Sequence, residues 1–292
     1  MQNTLTDFTL NKATGLISLS ISDEEFTLFR DLIYKECGIS LSKEKKLFLE
    51  SRLKRRMEEL GIHTVGEYFY LVSSSKNRLN ELPVLFDVLT IGETSFFRNK
   101  PQFDLFTDVV LPELIAKKEK SSSKILRIWS AGCSTGQEPY SLAMTLLEAI
   151  PESDSMMSRV FASDLSFTAL ERAQLGFYKT EQVKCVEPDL LAKYFNPIND
   201  GYQIKEAVKK RVIFDYHNLK NDNGLRNLDV IFCRNVMIYF DAEEQKRLIN
   251  RFVNCLVPGG YLFVGHAESL QGLSNKFSMF HKNRGIAYKL EV

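Results

Sequence analysis

The chain reads as an α/β protein with a mostly parallel, doubly wound sheet, preceded by a small all-helical unit. Three observations predict this. The apolar run Ile125-Leu126-Arg127-Ile128-Trp129 has the composition of a buried parallel strand, and it breaks into Ala131-Gly132-Cys133-Ser134-Thr135-Gly136. Strong helix formers follow at 141–147, so strand, glycine turn and helix come in the order that opens a nucleotide-binding α/β domain. A second strand, 159–164, ends in Asp164, whereas residues 22–89 carry helical periodicity throughout.

Composition bounds the classes further. At 292 residues the chain holds one large or two moderate domains with a real core. A net charge of +1 speaks against a nucleic-acid partner. Cys37, Cys133, Cys185, Cys233 and Cys255 are scattered and form no C-x-x-C pair, which fits reduced thiols in a cytosol better than a disulfide or zinc framework. The first twenty residues lack a basic start followed by an apolar core, so no signal peptide is expected. No apolar run approaches a membrane span.

Residues 1–20 are polar and read as a loose tail ahead of a helical domain spanning 1–90. Ser22 and Glu25 make a capping box, Phe26, Phe29, Leu32 and Ile33 share a face, and Gly38 stops that helix. Further helices are expected at 43–60, ending at Gly61, then at Val65–Ser73 and at 77–89. On the second, Leu49, Leu53, Met57 and Leu60 should pack inward. Lys45, Arg52, Arg55 and Arg56 cluster on a neighbouring face, either as an ordinary solvated surface or as a docking surface for an acidic partner.

Residues 89–98, with Thr90, Thr94, paired phenylalanines and Arg98, join this unit to an α/β domain spanning 91–292. A helix at 101–118 and a polar loop at 120–124 lead into the key strand. Gly132 lets the backbone turn tightly and a ligand approach it. The glycine pattern is G-x-x-x-G rather than G-x-G-x-x-G, and Glu138 sits at the helix entrance, where it would repel a pyrophosphate. Asp164 at the strand end can accept hydrogen bonds from both hydroxyls of a ribose. A ligand-free turn and an N-capping Asp164 are the plainer readings of each feature alone.

Beyond Gly176, the stretches 194–195, 202–204 and 212–214 read as short strands of an inserted β unit around 176–214 that leads back into the main sheet. Residues 228–233 form another buried strand, followed by a helix at 241–256. Pro258-Gly259-Gly260 then turns into a strand at 261–265, and 286–290 completes the sheet.

Taken together, SAGCSTGQEPYS, FASDLS, IFCRNVMIYFD, PGGYLFVGHAES and LTIGETSFFR resemble the chemotaxis receptor methyltransferase (CheR) family, over nearly the whole chain from Ser22 onward. The resemblance implies a class I S-adenosylmethionine-dependent methyltransferase fold (Rossmann-like) with a helical N-terminal domain and an inserted antiparallel β subdomain. It implies methylation of glutamate side chains on the cytoplasmic signalling domains of chemoreceptors, releasing S-adenosylhomocysteine. A cytoplasmic monomer without membrane insertion follows from the same likeness. By matched position, Glu138 and Asp164 would hold the charged and ribose portions of the cofactor, and Asn218, Leu219, Arg234 and Asn235 would line its other side. Thr94 and Arg98 would close the site, with Tyr239 near the methyl group. Gly92 departs from the asparagine frequent in the family, which puts one side-chain contact to the cofactor in doubt.

The chemistry suits these residues. An acceptor glutamate, with a reference pKa of about 4.3, is ionised at neutral pH and needs no general base. Arg98 would steer the carboxylate and Tyr239 position it; their plain readings are a surface ion pair and a sheet-edge aromatic. His217, His266 and His281 are scattered, so no metal is expected. Two alternatives remain at this point. A dinucleotide oxidoreductase is opposed by the glycine spacing and Glu138, and a silent cofactor-sensing module would not need Arg98 and Tyr239.

Overall fold

A computed structural model describes residues 20–74, 76–90, 92–150 and 156–291. The loose tail expected for 1–20 thus falls, up to residue 19, outside the described residues. The described residues divide into two compact units, one ending at Leu89 and one starting at Thr90.

The first unit is all helical. Helix α1 (Asp23–Cys37) starts at the capping box that Ser22 and Glu25 form, and stops at Gly38, whose φ of 77° terminates it. After one 3-10 turn comes α2 (Lys46–Leu60), ended by Gly61, then α3 (Val65–Ser73) behind a Thr64–Glu67 capping box, and α4 (Arg78–Leu89). Phe26, Phe29, Ile33, Leu49, Leu53 and Met57 are buried as the periodicity requires. Fully burying a side chain of this size stabilises the fold by about 1.5–3 kcal/mol. Leu60 is the exception: it is exposed, because the helix ends beside it at Gly61.

The second unit opens with α5 (Lys100–Leu105), a π turn (Phe106–Val110) and α6 (Leu111–Glu119), so the helix expected at 101–118 carries a bulge. Then follow β1 (Ile125–Ala131), α7 (Gln137–Ala149), β2 (Met157–Asp164), α8 (Phe167–Leu175), β3 (Phe177–Lys179), α9 (Thr180–Val183), α10 (Pro188–Tyr194), β4 (Phe195–Ile198), β5 (Gly201–Ile204), α11 (Glu206–Lys209) and β6 (Val212–Tyr216). The remainder is β7 (Leu228–Cys233), α12 (Ala242–Cys255), β8 (Leu256–Val264), β9 (Phe277–Lys282) and β10 (Gly285–Leu290).

Seven strands form one sheet in the order β6-β2-β1-β7-β8-β10-β9. The first five are mutually parallel, and β10 runs antiparallel to both neighbours. From β1 the chain builds outward to β2 and β6, then returns to place β7 and β8 on the other side. The switch point therefore lies between β1 and β7, and it is outside the carboxyl ends of such strands that open sheets place their ligand crevice. Alternate side chains feed two cores. Ile128 and Phe232 pack with Phe106, Leu142 and Leu146 on one face, while Trp129, Ile231 and Leu262 pack with Ile249 and Phe252 on the other.

Three sequence expectations need correction. The inserted sheet has the order β3-β5-β4 and includes Phe177–Lys179, whereas Val212–Phe214 pairs with β2 in the main sheet. A short apolar run does not name its partner strand, so Val212–Phe214 reads as part of the inserted unit and Phe177–Lys179 gives no strand signal. Pro258-Gly259-Gly260 lies within β8, opposite a register shift between Leu228 and Val230, rather than ahead of the strand. The edge strand β9 has too little apolar alternation to be read from sequence.

Candidate active site

The crevice is built from the loops that follow β1, β2, β6 and β7. After β1 the chain turns at Gly132, whose φ is 82°; a Cβ there would meet the Val236 side chain at 2.4 Å, so the glycine turn closes directly against the loop beyond β7. The Gly132 and Cys133 amides donate to the Ser163 carbonyl at 2.8 and 2.9 Å, stapling the turn to β2. Ser134, at φ 49°, donates its amide to Asp164 Oδ2 at 2.7 Å, and Ser166 donates its own to Oδ1 at 2.9 Å. Two backbone donors thus hold the half-buried Asp164 carboxylate, an acceptor-only group of the kind that receives hydroxyl donors. From the inserted sheet, buried Tyr178 donates its hydroxyl to the Thr135 carbonyl at 2.7 Å.

Glu138 lies in the first turn of α7 and is buried, as is Arg234 just past β7. Ser130 donates to Glu138 Oε1 at 2.7 Å, and Arg234 Nη1 donates to Oε2 at 3.2 Å. Burial pushes the Glu138 carboxyl above its ordinary value and the Arg234 guanidinium below its own, and each resists the other's shift. Arg234 also donates through Nη2 to the Arg98 carbonyl at 2.6 Å. Its Nε–H is buried without a partner among the described residues.

The segment from Gly92 to Arg98 is drawn onto this frame. Ser134 donates its hydroxyl to the Gly92 carbonyl at 3.1 Å, and a Cβ at Gly92 would meet that same oxygen at 2.8 Å. Backbone and a serine hydroxyl therefore occupy the place where a larger residue would project. Thr94 is half-buried; Arg98 is half-buried and donates to the Glu93 carbonyl at 2.7 Å. Asn218 and Leu219 follow β6, and the Leu219 side chain is buried.

Beyond Arg234, Asn235 adopts a left-handed φ of 60°, and Tyr239 ends the short 3-10 turn Met237–Tyr239. Burial raises the Tyr239 phenol above its ordinary value; Arg98 pulls it down, while Glu93, Asp164 and Glu268 push it up. Hydrogen bonds and electrostatic proximity thus link Glu138, Arg234, Arg98, Tyr239 and Asp164, with Asn235 next in the chain to Arg234. Ser130, Ser134, Tyr178 and Glu268 escaped the sequence reading, since small polar residues and single acids carry no periodic signal. Among the described residues, no group of three or more His, Cys, Asp or Glu could hold a metal ion.

In the helical unit, Lys45 and Arg52 sit over the Phe48 ring at 5.8 and 5.2 Å, and exposed Arg55 reaches Glu59 at 3.4 Å. Arg56 does not belong to a free basic face. Its Nε and Nη2 each donate to the Glu81 carboxylate at 2.8 Å, and Tyr68 donates to the same group at 3.0 Å. A partly buried ion pair between helices occupies it.

The family model described as "CheR methyltransferase, SAM binding domain" matches residues 92–286, and the CheR all-alpha domain matches 24–90. The chain belongs to the CheR methyltransferase family. Chemotaxis protein methyltransferase 1 of Pseudomonas aeruginosa is 37% identical, over 93% of this chain and 99% of its own. The chemotaxis protein methyltransferases of Borreliella burgdorferi and Vibrio parahaemolyticus are each 35% identical, over 89% and 94% of this chain and 93% and 100% of theirs. Among solved structures, magnesium protoporphyrin IX methyltransferase from Synechocystis PCC 6803 with bound SAM aligns at 16% identity over 76% of this chain and 91% of that one, with a TM-score of only 0.32. Membership of the CheR family makes S-adenosylmethionine the cofactor and sets aside the oxidoreductase and silent-module readings. No described helix is long and apolar enough to cross a membrane.

Proposed function

We propose that this CheR-family methyltransferase esterifies glutamate side chains on the cytoplasmic domains of chemoreceptors. The observation that carries this reading is the crevice at the switch point, where a cation, a ribose-competent acid and a phenol converge. The residues fit the cofactor. Asp164 is a carboxylate at the end of β2 and accepts hydroxyl donors such as those of a ribose, and the Nε–H of Arg234, unpartnered among the described residues, suits the carboxylate of an amino acid. Glu138, with its oxygens engaged by Ser130 and Arg234, holds the charged portion of the cofactor through Arg234. Gly132 lets the turn after β1 close against Val236, Asn218, Leu219 and Asn235 line the opposite side, and Gly92 and Thr94 close the site by backbone and hydroxyl.

When bound, S-adenosylmethionine supplies a sulfonium-activated methyl group. The protein's part is orientation, which contributes about 7–11 kcal/mol in well-held reactions. Arg98 attracts the ionised acceptor carboxylate and limits its approach to one side. The Tyr239 phenol, protonated at neutral pH at its ordinary value of 10.0 and pushed further up by burial, donates to that carboxylate. No group has to remove a proton, since the acceptor is already an anion.

Domains 1–90 and 91–292 divide the work. Lys45, Arg52 and Arg55 of the helical domain steer an acidic receptor helix, and Arg56 supports the fold beneath them. Exposed pairs are worth about 0.2–1 kcal/mol each, so only the cluster matters. The test incubates labelled S-adenosylmethionine with the enzyme and receptor cytoplasmic fragments. Label should enter the fragments, and joint replacement of Lys45, Arg52 and Arg55 by Glu should slow transfer while S-adenosylhomocysteine still binds. No label in any chemoreceptor fragment would overturn the assignment, and transfer unchanged in the triple variant would return that face to ordinary solvent.

A further inference from the structure

Glu268 lies three residues beyond Gly265, at the end of β8, and is half-buried. Its Oε2 accepts from the Gly265 amide at 2.5 Å and the Asn235 amide at 2.9 Å, and its Oε1 accepts from the Ile238 amide at 3.3 Å. One carboxylate thus ties the loop after β8 to the loop after β7. Gly265 leaves room for this: a Cβ there would stand 2.6 Å from Glu268 Oε2 and 2.9 Å from the Asn235 amide. On the carbonyl side of the same turn, Gln245 Nε2 donates to Met237 and Phe240 at 2.9 and 3.1 Å. Glu268 therefore serves the amides and Gln245 the carbonyls of the short turn that ends in Tyr239. A carboxylate suits the first task because it has acceptors only, whereas a glutamine would turn N–H donors toward N–H donors.

We infer that Glu268 is a positioning residue for the acceptor step, fixing the Asn235–Tyr239 stretch so that the Tyr239 hydroxyl stands where the carboxylate arrives. All three bonds that Glu268 accepts come from backbone amides, so it acts through Tyr239, and the inference rests on the role given to Tyr239 above. Side chains that align reacting groups must be held by others to be effective.

The test compares Glu268→Gln, Tyr239→Phe and the double variant with wild type, in methyl transfer to a receptor fragment and in S-adenosylhomocysteine binding. Glu268→Gln should lower kcat by about tenfold or more, a larger factor than any loss of product-cofactor affinity passed on through Asn235. The double variant should be no slower than Tyr239→Phe, because both changes remove one effect. Unchanged kcat in Glu268→Gln, or losses that multiply in the double variant, would overturn the inference. Should Glu268→Gln fail to fold, Gly265→Ala displaces the carboxylate without removing its charge and should show the same non-additive loss. A wild-type protein that methylates no receptor fragment would instead overturn the functional reading itself.

Discussion

Arg234→Lys probes the frame of the cofactor site while keeping its charge. Arg234 bridges two elements, through Nη1 to Glu138 at 3.2 Å and through Nη2 to the Arg98 carbonyl at 2.6 Å. A lysine ammonium is a single point of charge on a flexible stem and cannot reproduce both bonds of the planar fork. With the pair to Glu138 retained, the bond to the Arg98 carbonyl and the Nε–H offered to the cofactor's carboxylate are both lost, and a hydrogen bond from a charged donor is worth about 1.5–3 kcal/mol, so the loss is at least that. If the Gly92–Arg98 segment closes the site through that bond, affinity for S-adenosylhomocysteine falls roughly 10- to 150-fold. Calorimetric titration measures it directly, and a thermal melt confirms that the variant is folded. An affinity within about twofold of wild type would refute both roles given to Arg234, the bridge to the Arg98 carbonyl and the Nε–H offered to the cofactor.

Asp164→Ala removes the ribose acceptor and should weaken S-adenosylhomocysteine binding by about 1.5–3 kcal/mol in the same titration; undiminished binding would mean that the ribose lies elsewhere. Arg56→Ala leaves the Glu81 carboxylate, with 10% of its side chain exposed, short of its cation, and should cost about 2–4 kcal/mol in denaturant unfolding. Arg55→Ala, on a pair more than 40% exposed at both ends, should stay within about 0.5 kcal/mol; equal effects would contradict the division drawn between the two arginines. Burial pushes the His217 imidazole below its ordinary 6.5, with Asp215 opposing the shift, so the folded state binds this proton more weakly than the unfolded one. Stability is therefore full above that value and falls as the pH drops toward the folded pKa, and His217→Gln should flatten the slope seen in urea melts between about pH 7.5 and pH 5.5.

The fold was legible where one local signal sufficed. Ser22 and Glu25 announce a helix start on their own, and the strand before Gly132 and the acid at Asp164 locate the switch-point crevice without any partner being known. Features that depend on two distant segments were not legible. Arg56 looks like part of a basic face until Glu81, twenty-five residues later, is seen to take it up. That Val212–Phe214 joins the main sheet and Phe177–Lys179 the small one has the same origin, since pairing is decided by tertiary context. Glu268 acts on backbone amides, which every residue possesses, so no side-chain pattern reveals its partners. Gly92 is explained only by the hydroxyl of Ser134 beside it.

The central claim is that the acceptor is a carboxylate, so the bond formed is an ester rather than an amide or amine linkage. Carboxyl methyl esters release methanol in mild alkali, whereas methylated amines do not. Receptor fragment labelled by this enzyme should therefore lose its label as volatile methanol under mild base, and peptide mapping of untreated fragment should place the methyl groups on glutamate. Label that survives alkali, or that maps to a nitrogen-bearing side chain, would contradict the account.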